Sequence, residues 1–187
     1  MSVQVERRQF NISEYARMGE AGIFSEDDRV ELIEGEIIKM SPIGSHHAAC
    51  VDRMVNTLLA HLANQSAIVR VQSPIVLDDY SEPQPDVTLL RLRADFYAQS
   101  HPTPEDVLLV VEVADSSIEI DRDVKLPLYA RAGIRQVLLV NIPAGVIESY
   151  SQPTNGVYQS VRHLERGETV EIKSVPGLVL TVDAILG

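Results

Sequence analysis

The stretch Val107-Leu108-Leu109-Val110-Val111-Glu112-Val113 is the most apolar run of the chain, and its reading decides the fold. A strand wet on one face alternates apolar with polar residues; this run does not, and it predicts a central strand covered on both faces. Covering both faces takes helices, and the flanking sequence supplies them. Downstream, residues 118–132 set Ile118, Val124, Leu126, Leu128 and Tyr129 among Asp121, Arg122, Asp123 and Lys125, then reach Gly133, a helix stopped by a C-terminal glycine. Upstream, Val51, Met54, Val55, Leu58, Leu59 and Leu62 recur at steps of three and four, an amphipathic helix of about five turns. One turn back from Val51, His47 falls in its first turn on the core-facing side, while His46 points elsewhere.

The rest of the chain alternates short elements. Residues 11–21 read as a short helix with a cap at Ser13. Val30, Leu32, Ile37, Ile38 and Met40 around Glu34-Gly35 read as two strands joined by a tight turn. Residues 68–71 and 74–77 read as strand material. Pro83 and Pro85 bracket an extended entry into a strand over 86–90 that opens with Asp86, and residues 91–106 form a surface loop with one helical turn. Further strands are expected over 136–141, 146–151, 157–161 and 170–172, with turns at Pro143-Ala144-Gly145 and Pro153-Thr154-Asn155-Gly156. The expected fold class is α/β: a mixed central sheet flanked by helices, with an N-terminal β-hairpin extension. Residues 1–187 read as a single domain, of which 1–10 form an irregular N-terminal segment.

Composition bounds the function. The chain has 187 residues, with 16 Lys+Arg against 27 Asp+Glu and a formal charge of −11. At that length folding buries roughly 70% of the extended-chain surface, enough for a core without disulfides. The single cysteine, Cys50, allows no internal disulfide and no CxxC metal site, and it fits a reducing compartment. No apolar stretch serves as a signal-peptide core or a membrane span, so a cytoplasmic protein is expected. The negative charge weighs against tight, sequence-blind nucleic-acid binding, which phosphate neutralisation drives. It does not weigh against a divalent cation, which turns an acidic site into one that accepts phosphate.

Three charged residues stand inside or next to apolar segments: Asp86, Glu112 and Lys125. An ionised carboxylate inside a run such as Val111-Glu112-Val113 is costly to bury, so it must be paired, hydrogen-bonded or bound to a cation. Two such carboxylates ending adjacent strands on one sheet face offer oxygen ligands to Mg²⁺, which takes one or two carboxylates and keeps several waters. Each residue also has a plainer reading. Glu112 can pair with a buried Lys or Arg. Lys125 can be an exposed helix residue paired with Asp121 at the i, i+4 spacing. His47 can be a hydrogen-bonded core histidine, and Glu31 a solvated strand residue.

Pro85-Asp86, followed after 25 intervening residues by Glu112-Val113-Ala114, resembles the active-site signature of the PD-(D/E)XK nuclease superfamily. One position departs from it: where that signature has a lysine on the same strand face as the acidic residue, this chain has Ala114. Residues 112 and 114 point the same way, so alanine leaves space beside the glutamate, and Lys125 has a stem long enough to fill it from the following helix. The stretches Val30-Glu31-Leu32-Ile33-Glu34-Gly35-Glu36-Ile37, Met40-Ser41-Pro42 with His47, Pro85-Asp86-Val87, Val111-Glu112-Val113-Ala114-Asp115-Ser116-Ser117, and Lys125 with Tyr129-Ala130-Arg131-Ala132-Gly133 together resemble the Uma-two family of restriction endonucleases, a bacterial branch of that superfamily. The resemblance spans about residues 12–185.

It implies a restriction-endonuclease-like core, metal ligands at Asp86 and Glu112, and a catalytic lysine displaced to Lys125. The implied reaction is hydrolysis of nucleic-acid phosphodiesters, with double-stranded DNA as the expected substrate. Mg²⁺ or Mn²⁺ is the expected cofactor, held by Asp86, Glu112 and the carbonyl of Val113, with His47 and Glu31 as auxiliary residues at the rim. Superfamily members commonly dimerise, which makes a homodimer the expected assembly. The competing expectation is a non-catalytic nucleic-acid-binding or interaction protein on the same fold, favoured by Ala114 and the charge of −11.

Overall fold

In the computed structural model, which describes residues 7–25, 27–62 and 67–187, the apolar run forms β5 (Val107–Ala114), and all eight of its residues are buried. It is the third strand of a six-stranded sheet ordered β3 (Ala67–Val71), β4 (Val87–Arg91), β5, β6 (Gln136–Asn141), β7 (Val146–Thr154), β8 (Val157–Leu164). Only β5 and β6 run parallel; the other neighbours are antiparallel. The parallel pair requires a crossover, and the helical segment after residue 117 provides it.

Odd-numbered β5 residues Leu109, Val111 and Val113 pack under α2 (Ser45–His61) and α5 (Val182–Leu186), with β9 (Thr169–Glu171) and β10 (Val179–Thr181) completing that layer. The even-numbered Val110 and Ala114 face Leu126, Tyr129 and Ala130 of the crossover. Glu112 shares that even face by the period of two.

The crossover is helical but not uniform: α3 (Ile118–Ile120) leads into a π turn (Asp121–Lys125) and then α4 (Leu126–Arg131). Pro127 accounts for the widening. It has no N–H, and its ring crowds the carbonyl four residues back, so an ordinary α turn cannot pass through it. Instead the Leu126 N–H reaches back five residues to the Asp121 carbonyl. The wider turn directs Asp121 and Lys125 inward and leaves Arg122, Asp123 and Val124 exposed.

The hairpin forms as expected from β1 (Val30–Ile33) and β2 (Glu36–Lys39). Glu34 and Gly35 both take positive φ, the conformation this two-residue turn requires. Helix α1 (Ile12–Glu20) is capped by Asn11, whose side chain accepts from the Glu14 N–H while Glu14 answers to the Asn11 N–H, so the cap is not Ser13. Residues 74–77 form no strand; their backbone bonds go to Pro83, Pro102 and Ser81 carbonyls in the loop around them. Strands β7 and β8 run further than expected, narrowing their turn to Asn155-Gly156. Strand β10 and helix α5 are additions to the expected elements. Of the irregular segment expected over 1–10, residues 1–6 lie outside the described residues, and 7–10 carry no helix or strand. Among the described residues no helix is long and apolar enough to cross a membrane.

Candidate functional site

The last ladder pair between β4 and β5 is Val87 with Val111, so the next position in that register sets Asp86 against Glu112. The ladder stops there, and the backbone of Val113 opens onto the gap. The Ala114 carbonyl faces β6, where it accepts from the Ile142 N–H. Because neighbouring residues of a strand direct their polar groups to opposite edges, Val113 faces β4. Its N–H donates to Asp86 Oδ2 at 2.9 Å, and its carbonyl opens on the same side.

Asp86 is held on three sides. Besides Val113, Oδ2 lies 3.0 Å from His47 Nε2, and Oδ1 accepts from Gln72 Nε2 at 3.2 Å. Burial opposes its charge, but the His47, Val113 and Gln72 contacts outweigh that and hold its carboxyl below the usual range. The hydrogen bond that His47 donates to Asp86 raises it above an ordinary imidazole against the effects of burial and of Arg29 nearby. His47 Nδ1 is buried with no partner among the described residues. The histidine therefore belongs to this cluster, placed by the first turn of α2, and is not simply a core residue. The N-cap of α2 is Gly44, with no side-chain cap and no acidic residue in the first turn, so its partial positive charge stays available to the pocket that Gly44 lines.

Beside this pair sits a second cluster around Lys125, which is 4% exposed. Its Nζ lies 3.1 Å from Glu31 Oε2, 3.4 Å from Glu112 Oε1 and 3.9 Å from Asp121 Oδ1. The exposed i, i+4 pair with Asp121 is thus not what forms: that contact is the longest of three, and all of it is buried. Glu31 is 2% exposed and is no solvated strand residue. The segment before β4 draws it in, since Glu82 N–H bonds to the Leu32 carbonyl and Gln84 N–H to Glu31 Oε2 at 3.0 Å. Glu112 also accepts from the Tyr129 hydroxyl at 2.6 Å.

Burial pushes Glu112 up to about 8, with Lys125 opposing and the Asp121 and Asp86 charges adding. Burial works against the Lys125 ammonium, but Glu112, Glu31 and Asp121 together outweigh it and hold its proton more firmly than in an ordinary lysine. Burial likewise raises Asp121, which Ser117 steadies through a 2.6 Å hydrogen bond.

Asp86, Glu112, Lys125, His47 and Glu31 therefore line one pocket of about 170 Å³ between the hairpin, the start of α2 and the crossover. Asp121 and Gln84 line it too, while Tyr129 and Gln72 hold Glu112 and Asp86 by hydrogen bonds without lining it; none of the four was singled out from sequence as a site residue. Asp121 was foreshadowed by its i, i+4 spacing to Lys125; the glutamines carried no signal, because their partners lie on other elements.

Five carboxylates line the pocket, from Glu31, Asp86, Glu112, Asp115 and Asp121, against the permanent cations Arg29, Lys39 and Lys125. No group of three or more His, Cys, Asp and Glu side chains among the described residues is arranged to hold one metal ion. A hard cation that keeps its waters needs fewer protein ligands, and Asp86, Glu112 and the Val113 carbonyl form an oxygen-only set of that kind. The recorded contacts of Glu112 all fall on Oε1 and those of Glu31 on Oε2. The excess of negative charge and the donor chemistry fit Mg²⁺ or Mn²⁺. The buried pairing of Glu112 with lysine also forms, and with the same Lys125.

Comparison with known proteins places this arrangement in context. The Uma2 family model, described as "Putative restriction endonuclease", matches residues 12–183. Among solved structures the chain is similar to a putative nuclease belonging to DUF820 from Anabaena variabilis ATCC 29413, at 14% identity. That match covers 95% of this chain and 97% of the other with a TM-score of 0.73, a likeness of fold. No curated protein matches.

Proposed function

The chain belongs to the Uma2 family of restriction-endonuclease-like proteins, and from that premise we propose that its pocket hydrolyses phosphodiester bonds of DNA with a divalent cation as cofactor. The observation that carries the reading is the meeting of buried Asp86, Glu112 and Lys125 at an open pocket where β4 and β5 part. Asp86 and Glu112, with the Val113 carbonyl, would hold Mg²⁺ or Mn²⁺. Bound there, the cation supplies Lewis-acid polarisation of the phosphate and a water of lowered pKa.

The chain's own groups do the rest. Val113, His47 and Gln72 lock the Asp86 carboxylate in one orientation. The Lys125 ammonium is in ion-pair contact with Glu31 and Glu112, and the 3.9 Å separation from Asp121 is too long for a hydrogen bond. With three donors, the ammonium can also reach a phosphoryl oxygen or the attacking water, where it steadies developing negative charge. Glu31 and Tyr129 keep Lys125 and Glu112 in register. Two copies of the chain facing one duplex would place a pocket on each strand.

The test incubates purified protein with single- and double-stranded DNA and Mg²⁺ or Mn²⁺, comparing wild type with Asp86→Ala, Glu112→Ala and Lys125→Ala. Loss of cleavage in all three is expected; equal activity would remove the assignment.

A second reading, a non-catalytic nucleic-acid-binding protein on this fold, is favoured by the ion pair and tyrosine hydrogen bond that already satisfy Glu112 Oε1. Titration calorimetry separates the two. The enzyme binds a divalent cation in a manner that Asp86→Ala and Glu112→Ala abolish, and the binding protein shows no such effect.

A further inference from the structure

Lys125 cannot attract a polyanion by itself, because Glu31 and Glu112 offset its charge at short range. The positive potential that a phosphate needs must come from elsewhere, and the other permanent cations among the lining residues are Arg29 and Lys39. Both belong to the open end of the hairpin. The Met40 N–H bonds to the Arg29 carbonyl, so Arg29 continues the β1 ladder by one residue.

Strand alternation then puts Arg29 on the same face as Glu31, the face that lines the pocket. Its guanidinium is held by a 3.1 Å hydrogen bond from Nη1 to the Ser41 carbonyl, which occupies one of five donors. Among the described residues no carboxylate lies within 4.0 Å of Arg29 or Lys39, in a pocket with five of them. A guanidinium held over a pocket and left without a counter-ion has the geometry for a bidentate contact with phosphate.

We propose that Arg29 forms a subsite for a backbone phosphate of the nucleic acid next to the one that reacts; Lys39, paired with Val30 in the ladder, alternates to the other face of the hairpin and is no part of it. This rests on the nuclease reading of the pocket. The hairpin then acts as a clamp: Glu31 faces the reacting centre, and Arg29 holds the neighbouring phosphate and sets the strand's register over it.

The experiment measures binding apart from cleavage. A fluorescein-labelled 16-base-pair duplex is titrated with full-length protein in EDTA at several salt concentrations, using wild type, Arg29→Gln and Arg162→Gln. The last removes the same charge from an exposed position on β8, far from the pocket in sheet order.

Arg29→Gln is expected to lower affinity about tenfold and to reduce the slope of log K against log salt by about 1, while Arg162→Gln changes affinity less than twofold. Equal effects of the two substitutions, or no binding by wild type, would overturn the subsite. A parallel cleavage assay in Mg²⁺ keeps the two ideas apart. Cleavage that Arg29→Gln leaves untouched in KM removes the subsite and spares the nuclease. Arg29-dependent binding by a wild type that never cleaves spares the subsite and removes the nuclease.

Discussion

Replacing Lys125 with methionine removes one charge and nearly no volume, so its effect reads the electrostatics of the pocket and not a cavity. At 3.1, 3.4 and 3.9 Å, the three carboxylates each attract the ammonium by about 4–5 kcal/mol at an effective dielectric near 20, most of which offsets the desolvation of the charges. Removing one partner of such a buried network costs about 3–5 kcal/mol, because the carboxylates stay buried without it. For a chain of this size each kcal/mol lowers Tm by about 2–4 °C, so Lys125→Met should melt about 6–20 °C below wild type in metal-free buffer near pH 8.

The pH dependence fixes the cause. Glu112 is raised from an ordinary 4.5 to about 8 in the fold, so its protonated form contributes stability that is complete below 4.5 and is lost as pH rises through about 8. Without Lys125 its value rises further, and the carboxyls must be protonated to stay buried. The difference in Tm should therefore be small near pH 5 and largest above pH 8. Differential scanning calorimetry at three pH values measures it. A loss below about 1 kcal/mol at high pH, or an equal loss at all pH values, would refute the charge argument.

Three further outcomes follow from the same contacts. Asp86→Asn removes the main influence that raises His47, leaving burial and Arg29 against the lesser pull of Asp115, so the His47 titration followed by proton NMR should move to lower pH; an unchanged midpoint would contradict the 3.0 Å pairing. Tyr129→Phe deletes a buried donor to Glu112 and should cost about 1–3 kcal/mol in urea unfolding, with the loss greater at high pH, where Glu112 carries charge. Gly35→Ala forces an L side chain into φ +79 and sets its Cβ 2.5 Å from that of Gln9. It should cost at least about 1–2 kcal/mol, and a neutral result would mean that the hairpin does not hold this turn.

The comparison of Glu31 with Glu34 shows what is legible along the chain. Both sit in the same hairpin, and the turn Glu34-Gly35 is set by local backbone chemistry, as are the buried run of β5 and the helical spacing of α2. Such features depend on residues a few positions apart, and so they can be read from order alone. That Asp86 would end its strand beside Glu112, with Lys125 reaching in from the following helix, was likewise legible by spacing and resemblance. That Glu31 is drawn to Lys125 was not, because it depends on the Glu82 and Gln84 amides reaching back across some fifty residues.

The primary order alone determined that this is an α/β protein with a central buried strand, and which charged residues interrupt its apolar segments. Tertiary structure alone decided their chemical state: Asp86 held charged by donors from three segments, Glu112 pushed toward its neutral form, Asp121 turned inward by the π turn ahead of Pro127, and Arg29 left without a carboxylate partner among the described residues. The reason is one of range. Strand and helix patterns follow from dihedral preferences and the burial of near neighbours, whereas proton affinity and ion pairing follow from distances of 3–4 Å that only packing between remote segments sets.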